Sequence, residues 1–254
     1  MDKVILITQA RIGSSRLPGK ILKIVDGKSL LEIHIDRLKK CKNISEIIIA
    51  TTKKEEDDCI IELSNQLNVN SFRGSELDVL DRFFKCAKSA NADWIVRVTS
   101  DCPLIDPKLI DSIINYSIVN NVDYCSNTLI ENFPDGQDVE VFKFDALKYA
   151  WKNAILNSER EHVTPFIRNN SDFMNKDKFK AINYDCENNY SNIRMTVDEL
   201  NDFILIKTLI ENLGVKKSWR EYVDYIVSED LIGINSGIIR NEGYLKSIKD
   251  DKNG

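Results

Sequence analysis

Apolar runs alternate with amphipathic segments through the first half of the chain. Residues 4–8 and 46–52 are almost uninterrupted apolar runs, as expected of strands that are buried on both faces. Residues 29–41 instead space their leucines and isoleucines so that they share one face of a helix. The same reasoning predicts strands at 70–72 and 93–99 and helices at 55–67 and 77–90. This alternation predicts an α/β fold with a mostly parallel central sheet and helices on both faces.

After Pro107 the pattern becomes less regular. It predicts helices at 108–119, 146–157, 159–168 and 199–213, and strands at 122–125, 179–184 and 194–197. Residues 138–144 alternate apolar and polar side chains, which predicts a half-exposed strand. Residues 231–254 are weakly periodic, and we expect the end of this tail, 249–254, to fray. The simplest organisation is a single domain over 1–230, with a small inserted subregion, followed by that tail.

Composition excludes several classes of protein. The chain has 254 residues and a net charge of −5, whereas a general nucleic-acid binder is normally basic. No stretch approaches the ~18 apolar residues of a membrane helix, and no signal peptide is evident. Six scattered cysteines and two histidines fit neither a standard zinc site nor a disulfide framework. We therefore expect a cytoplasmic protein with no nucleic-acid or membrane partner.

The loop over residues 9–20 directly follows the first predicted strand. It contains Arg11, Arg16 and Lys20 together with two glycines and two serines. Small residues let a ligand approach the backbone, and the cations favour an anionic ligand. The spacing matches neither the dinucleotide-binding motif G-x-G-x-x-G nor the P-loop. The loop predicts a polyphosphate site of another kind, and the alternative is a solvated basic loop.

Two aspartates follow predicted strands, at the sheet edge where α/β proteins bind ligands. Asp101 comes after the strand at 93–99, and Asp198 ends the one at 194–197. Two carboxylates that face a phosphate loop could hold Mg²⁺. Each could instead only cap a helix, as Asp106 before Pro107 is expected to do.

Residues 158–165 form a second charged cluster, which includes Arg160 and His162. His162 could act as a general base or bind a substrate, whereas His34 is expected to be structural. The alternative for this cluster is a capped helix start, because Ser158 and Glu161 have capping-box spacing. The turn at 133–138 leaves Asp138 either facing a ligand or completing the turn.

Several of these segments occur in the same order in a known family. Residues 9–20, 71–82, 97–107, 136–142, 159–165 and 194–198 resemble the cytidylyltransferases of the spore-coat polysaccharide type, which are similar to the CMP-sialate and CMP-Kdo synthetases. The resemblance covers about residues 3–210. It implies a Rossmann-like nucleotidyltransferase fold, CTP as substrate, Mg²⁺ as cofactor and a homodimer. The nucleotide-binding part would be about 1–107 and the acceptor-binding part about 108–230.

The resemblance also implies roles for individual residues. Arg16, Lys20 and Asp101 would be catalytic, and Asp101 and Asp198 would hold the metal. The implied nucleotide-binding residues are Gln9, Ala10, Arg11, Gly13, Ser14, Ser15, Arg16, Lys20, Ala50, Thr51, Thr52, Arg73 and Ser100, of which Ala50–Thr52 and Arg73 would border the cytosine. The implied acceptor side comprises Gly136, Asp138, Glu140, Arg160, His162 and Arg194. Cys102 stands where the Kdo enzymes carry a glutamate, which leaves the acceptor open.

The resulting expectation is an enzyme that transfers CMP from CTP to an anionic acceptor and releases pyrophosphate. The acceptor could be a sugar acid, a sugar or polyol phosphate, or a phosphonate. One alternative is a nucleotide-sugar glycosyltransferase, although the D-x-D motif of that class is absent around Asp101. Another is a binding module that keeps the fold without catalysis.

Overall fold

A seven-stranded sheet forms the centre of the computed structural model, which describes residues 2–14 and 16–253. The strands of the protein are β1 Val4–Gln9, β2 Ile24–Val25, β3 Lys28–Ser29, β4 Glu46–Thr52, β5 Asn70–Gly74, β6 Trp94–Thr99, β7 Tyr124–Ser126, β8 Glu140–Lys143 and β9 Ala181–Asn183. The α-helices are α1 Leu30–Leu38, α2 Asp58–Gln66, α3 Val79–Ser89, α4 Pro107–Val119, α5 Phe144–Asn153, α6 Asn157–His162, α7 Pro165–Asn169, α8 Leu200–Leu213, α9 Trp219–Ser228 and α10 Glu242–Asn253.

The order of strands in the sheet is β5-β4-β1-β6-β8-β7-β9, and β8 alone runs against the others. Strands β2 and β3 form a separate hairpin. Side chains of β1 alternate between two apolar cores, with Leu6 in one and Ile7 in the other. The predicted α/β fold with a mostly parallel sheet is therefore confirmed. Strands β4 and β5 lie on one side of β1, and β6 lies on the other. The order of strands therefore reverses between β1 and β6, where such folds bind ligands.

Strand β8 differs from its prediction as a half-exposed strand. It lies between β6 and β7, and Glu140, Val141 and Phe142 are all buried. The polar residue that produced the alternation, Glu140, is paired with Arg97 inside the protein. The pattern was misleading because a buried ion pair resembles a solvent-facing position in the sequence.

The strand predicted at 194–197 is absent from the described structure, in which Arg194 makes only an isolated bridge to Asp135. The helix predicted at 159–168 is divided into α6 and α7. Val163 has a φ of 74°, and Pro165 begins the second helix because proline has no N–H to continue the first.

Two helices lie beyond the predicted elements. Helix α9 begins at a complete capping box formed by Ser218 and Glu221. Helix α10 lies in the predicted tail at 231–254, of which only the end, 249–254, was expected to fray, and it packs against α6. The Asp251 carboxylate accepts hydrogen bonds from the amides of Asn157 and Ser158 at 2.9 and 3.1 Å. The tail is therefore docked onto the domain, and it reaches the candidate site described below.

None of the helices in residues 2–14 and 16–253 combines the length and the apolar character that a bilayer crossing requires.

Gly136 lies where the turn at 133–138 crosses the segment that contains Met195. Its φ is 100°, and an added Cβ would lie 2.6 Å from the Met195 carbonyl carbon. We expect Gly136→Ala to lower the free energy of unfolding by at least about 2 kcal/mol, since it adds a backbone clash to left-handed strain. Gly27→Ala is the matched control, because Gly27 has a φ of 75° but open space around it. Urea denaturation of both variants tests this, and equal losses would show that the clash is relieved.

Candidate active site

Two cavities adjoin at the carboxyl ends of β1 and β6. The loop-side cavity, of about 640 Å³, is lined by residues of the 9–20 loop and of α3. The C-terminal cavity, of about 290 Å³, is lined by residues of β6, β8 and α7 and by the start of α10. The residues shared by both cavities are Gln9, Arg16, Thr99, Asp101, His162 and Asp198. Two ligands bound in these cavities would therefore meet beside the two predicted metal-binding aspartates.

Lys20 links those two aspartates. Its Nζ donates hydrogen bonds to Asp101 Oδ2 and Asp198 Oδ1, both at 2.8 Å. The three residues are separated by 81 and 178 positions in the chain, and the fold brings them together. Since both carboxylates reach one ammonium nitrogen, they are close enough to share one small cation.

Asp198 is fixed by two further cations. Its Oδ2 accepts from Arg194 at 2.8 Å, and its Oδ1 lies 3.0 Å from Arg16. The alternative that Asp198 only caps α8 is wrong, because the N-cap is Glu199 and the amides there are bound by Asp202. Asp106, by contrast, caps α4 as predicted. The Asp198 carboxylate is therefore oriented toward the cavities by its neighbours.

Lys20, Asp101 and Asp198 form a trio at the junction of the cavities. Their burial and their contacts with one another shift the pKa values within the trio. Burial alone would raise the pKa of the Asp101 carboxyl, but the Lys20 ammonium outweighs it and holds that pKa well below its usual range. Burial would likewise lower the pKa of Lys20, and the two aspartates raise it instead. The Asp101 carboxylate and the Lys20 ammonium are therefore both charged at neutral pH.

The 9–20 loop lies beside this trio and is bound to Asp57 through its backbone. The backbone amide of Ile12 donates to Asp57 Oδ1 at 2.8 Å, and Thr52 donates to the other oxygen of that carboxylate. Predicted nucleotide-binding residues that line the loop-side cavity are Gln9, Ala10, Arg11, Gly13, Ser14, Arg16, Lys20 and Ser100. Ser15 lies outside the described residues. Most of the predicted phosphate loop thus surrounds a single cavity.

The residues expected to border the cytosine lie elsewhere. Ala50, Thr51 and Thr52 are buried in β4 and do not line the loop-side cavity. Arg73 is also outside it, because its guanidinium is bound to the carbonyl oxygens of Thr52 and Lys54 and to Asp58. Arg82 and Glu76 line the cavity in their place.

Arg160, which was predicted on the acceptor side, lines the loop-side cavity and not the C-terminal cavity. Its guanidinium forms an ion pair with Asp78 and donates to the Trp151 carbonyl at 2.8 Å. The alternative capping box at Ser158 and Glu161 is not formed, because α6 begins one residue before Ser158.

His162 lies between the two cavities. Its Nε2 is 3.2 Å from Ser247 Oγ of α10, and burial lowers its pKa below the ordinary value. His162 is therefore placed to contact a ligand in either cavity as a neutral imidazole. His34 is fully buried between Thr8 and the Cys102 carbonyl, in a structural position as predicted.

Glu140 and Arg194, two residues predicted on the acceptor side, line the C-terminal cavity and are already bound to other side chains. Glu140 is fully engaged by Arg97, Tyr124 and Thr164. Arg194 donates to Asp135, Asp198 and Asp202, so its guanidinium mainly orients these carboxylates.

Asp138 is a carboxyl of the C-terminal cavity with a strongly raised pKa. Enclosure raises its pKa to about 7 against the effect of Arg240, and the neighbouring carboxylates of Asp135 and Glu131 add to the rise. Arg240 donates to Asp138 at 2.7 Å. A carboxyl with a pKa near neutrality can exchange a proton with a bound ligand.

The tail contributes a wall of the C-terminal cavity that the sequence did not predict. Asn241, Glu242, Gly243 and Tyr244 line it. The Tyr244 hydroxyl accepts from Arg168 at 2.6 Å, and Glu242 lies 3.1 Å from Arg16. Arg168 has no carboxylate partner within residues 2–14 and 16–253. A guanidinium in this position is available to an anionic ligand.

The donor set at the junction fits Mg²⁺. Within the described part of the chain there is no group of three or more His, Cys, Asp or Glu side chains placed to hold a metal. Two adjacent carboxylates are present, and Mg²⁺ in nucleotide enzymes is typically bound by one or two carboxylates plus substrate phosphates. The site therefore suits a metal that arrives with a phosphorylated substrate.

A Rossmann-like sheet with a basic loop and paired aspartates at its switch point defines the nucleotidyltransferase class. The sequence matches the family model for cytidylyltransferases over residues 5–224. The chain therefore belongs to the cytidylyltransferase family, which confirms the resemblance drawn from the motifs.

Similar proteins cover nearly the whole chain. An uncharacterized protein of Methanocaldococcus jannaschii is 42% identical over 95% of this chain and 98% of its own length. The spore coat polysaccharide biosynthesis protein SpsF of Bacillus subtilis is 34% identical over 84% of this chain and 89% of its own. The structure of a cytidylyltransferase from Leptospira borgpetersenii aligns with a TM-score of 0.87 at 32% identity, over 94% of this chain and all of that one.

A more distant structure shares the fold. The CMP:2-keto-3-deoxy-manno-octonic acid synthetase complexed with CTP aligns with a TM-score of 0.58 at 15% identity, over 82% of this chain and 98% of that one.

Proposed function

We propose that this protein is a CTP-dependent cytidylyltransferase that uses Mg²⁺, transfers CMP to a small anionic acceptor and releases pyrophosphate. The observation that carries the proposal is the junction of the two cavities at Asp101, Asp198 and Lys20. CTP occupies the loop-side cavity and the acceptor occupies the C-terminal cavity, so the reacting groups meet at this trio.

In this mechanism an acceptor oxygen attacks the α-phosphorus of CTP. A bond forms between that oxygen and phosphorus, and the bond from phosphorus to the β-phosphate oxygen breaks. Arg16 and Lys20 stabilise the negative charge that develops on the departing pyrophosphate. Asp101 and Asp198 would hold Mg²⁺, which when bound neutralises charge on the phosphate oxygens. Most of the rate then comes from placement and electrostatics.

The need for a base depends on the acceptor. A phosphate or phosphonate acceptor is ionised at neutral pH and attacks without help. A hydroxyl acceptor is assisted by Asp138, whose pKa of about 7 suits a general base, or by the neutral His162. Arg168 and Arg97 supply positive charge to the anionic group of the acceptor in the C-terminal cavity.

We expect CTP with Mg²⁺ to bind at least tenfold more tightly than UTP, ATP or GTP, because cytosine and uracil differ in their hydrogen-bonding groups. Calorimetry on the full chain measures the four dissociation constants. Equal or tighter binding of UTP, ATP or GTP would contradict the proposal.

Measuring pyrophosphate release distinguishes the proposed cytidylyltransferase from its two alternatives, a glycosyltransferase and a binding module. A pyrophosphate-release screen of CTP should include 3-deoxy-manno-octulosonate, because several relatives that cover about half of the chain are cytidylyltransferases of that sugar acid. Sugar phosphates, polyol phosphates and phosphonates complete the panel. A glycosyltransferase releases no pyrophosphate, and a binding module binds CTP without turnover.

The proposal includes a homodimer in the cytoplasm. The described cysteines are all free, which fits a reducing compartment. Light scattering coupled to gel filtration measures the assembly, and a monomeric mass would remove the dimer from the proposal without affecting the reaction.

A further inference from the structure

Helix α10 is held on the protein by polar side chains and not by an apolar core. Within Glu242–Asn253 only Ser247 is buried, and Leu245 is 54% exposed. Ser247 donates to the Glu161 carboxylate at 2.7 Å, and Asp251 accepts from two amides at the start of α6. A helix with so few buried contacts opens locally at a small cost in free energy.

Two arginines of the substrate cavities hold the first turn of α10. Arg16 donates to the Glu242 carboxylate at 3.1 Å, and Arg168 donates to the Tyr244 hydroxyl at 2.6 Å. Arg16 lines both cavities, and Arg168 lines the C-terminal one. The proposed function assigns each of these arginines to a substrate anion. The first turn of α10 therefore occupies donors that the substrates need.

Glu242 offers Arg16 an anionic oxygen, as a phosphate group does. The other terminal nitrogen of Arg16 lies 3.0 Å from Asp198, so carboxylates engage both ends of the guanidinium. The side chains of Arg16 and Glu242 are 35% and 55% exposed, and an ion pair as open as this one contributes little stability. A triphosphate carries more charge and more acceptor oxygens than one carboxylate. It therefore competes successfully with Glu242 for the same arginine.

The chain around this turn favours a local movement. Asn235 is buried and donates to Asp202 at 2.8 Å, which fixes the segment that leads to the helix. Gly243 lies inside the first turn, and no atom lies within 4 Å of the position that a Cβ would take. No close packing therefore requires a glycine there, and glycine weakens a helix. The first turn can open while Asn235 and Asp251 remain bound to the domain.

We propose that the first turn of α10, residues 242–245, is a lid on the C-terminal cavity, and that CTP releases it by taking Arg16 from Glu242. The inference rests on the proposed function, because the trigger is the triphosphate of the bound substrate. Release of the turn withdraws one wall of the acceptor cavity. It also frees Arg168 from Tyr244 for the anionic group of the acceptor. The tail thereby couples the nucleotide site to the acceptor cavity.

Hydrogen exchange of the full-length protein tests the release. The Leu245 amide donates to the Asn241 carbonyl at 3.0 Å, so it is protected while the turn is closed. We expect CTP with Mg²⁺ to speed exchange in peptides that cover residues 245–247 by at least about fivefold. Pyrophosphate should have the same effect and cytidine should have none, because the trigger is an anion. Peptides from α9 provide the internal reference and should not change.

Glu242→Gln keeps the shape of the side chain and removes the charge that holds Arg16. We expect fast exchange of residues 245–247 without nucleotide. The dissociation constant for CTP should fall about three- to fivefold, because the triphosphate no longer displaces a carboxylate. Asp250→Asn is the matched control, since Asp250 is exposed on the same helix and its replacement removes the same charge. It should change the dissociation constant by less than about twofold, as calorimetry measures.

The outcomes separate this inference from the proposed function. A wild-type protein that does not bind CTP overturns the proposed function and the inference with it. Unchanged or slower exchange of residues 245–247 in the CTP-bound wild type overturns the lid alone. Equal affinities of Glu242→Gln and Asp250→Asn for CTP also overturn it. Cytidine that speeds exchange as much as pyrophosphate would assign the movement to the nucleoside, which overturns the role of Arg16.

Discussion

Replacing either Asp101 or Asp198 by asparagine is expected to reduce pyrophosphate release from CTP by about 10²-fold or more while the protein stays folded. Each substitution removes one of the two carboxylates at the junction of the cavities and so weakens the proposed Mg²⁺ site. Both side chains face the cavities, with 26% and 21% exposure, so the polar replacement is accommodated. Arg194 keeps Asp135 and Asp202 as partners when Asp198 is changed.

Steady-state assays at increasing Mg²⁺ measure this effect, and thermal unfolding confirms that each variant is folded. Asp58→Asn is the matched control, because Asp58 pairs with Arg73 outside both cavities. It should retain activity within about threefold. Near-normal turnover of Asp101→Asn or Asp198→Asn at saturating Mg²⁺ would mean that the changed aspartate is not a metal ligand.

The fold could be predicted because the strands of its parallel half are nearly continuous apolar segments of the sequence. Strand β4 occupies the predicted residues Glu46–Thr52, since a strand buried on both faces has no polar alternation to obscure its ends. The failures involve buried charge. Glu140 in β8 looked solvent-facing, and the segment at Arg194 looked like a strand although ion pairs hold it.

Helix α10 was missed for a related reason. It docks on α6 through Ser247 and Asp251, which bind Glu161, His162 and the α6 amides, so its sequence carries no strong apolar stripe. A helix that packs mainly through polar contacts shows little hydrophobic periodicity in its sequence.

The sequence indicated which types of residue lie at the candidate site better than it indicated which of them contact one another. Asp101, Asp198 and the loop cations could be selected as candidates because strand ends and basic loops are local features. Their arrangement depends on contacts between distant parts of the chain. Arg160 was expected beside the acceptor, but its partner Asp78 lies 82 positions earlier and holds it at the loop-side cavity. Such a pairing cannot be deduced from the local cluster around His162.

Lys20→Met is expected to lower pyrophosphate release by about 10²–10³-fold, because it removes a preorganised positive charge from the leaving pyrophosphate.

The same change, Lys20→Met, should make the protein bind Mg²⁺ more tightly in the absence of nucleotide. In the wild-type protein the Lys20 ammonium lies 2.8 Å from both carboxylates, so it occupies the position that a shared cation would take. Without it, Asp101 loses its ion-pair partner beside Asp198, which keeps Arg16 and Arg194. This loss should lower the free energy of unfolding in metal-free buffer.

Thermal unfolding with and without Mg²⁺ tests the second effect directly. We expect the metal to raise the Tm of Lys20→Met by several degrees more than that of the wild type, since a ligand that binds only the folded state stabilises it in proportion to its affinity. Lys28→Met is the control, because Lys28 of β3 forms an exposed ion pair with Asp36 of α1. Ca²⁺ should be tested beside Mg²⁺, to separate a specific site from general charge screening. An equal Mg²⁺-induced shift in wild type and Lys20→Met would show that the ammonium does not compete with a metal, and it would place the cation away from Asp101 and Asp198.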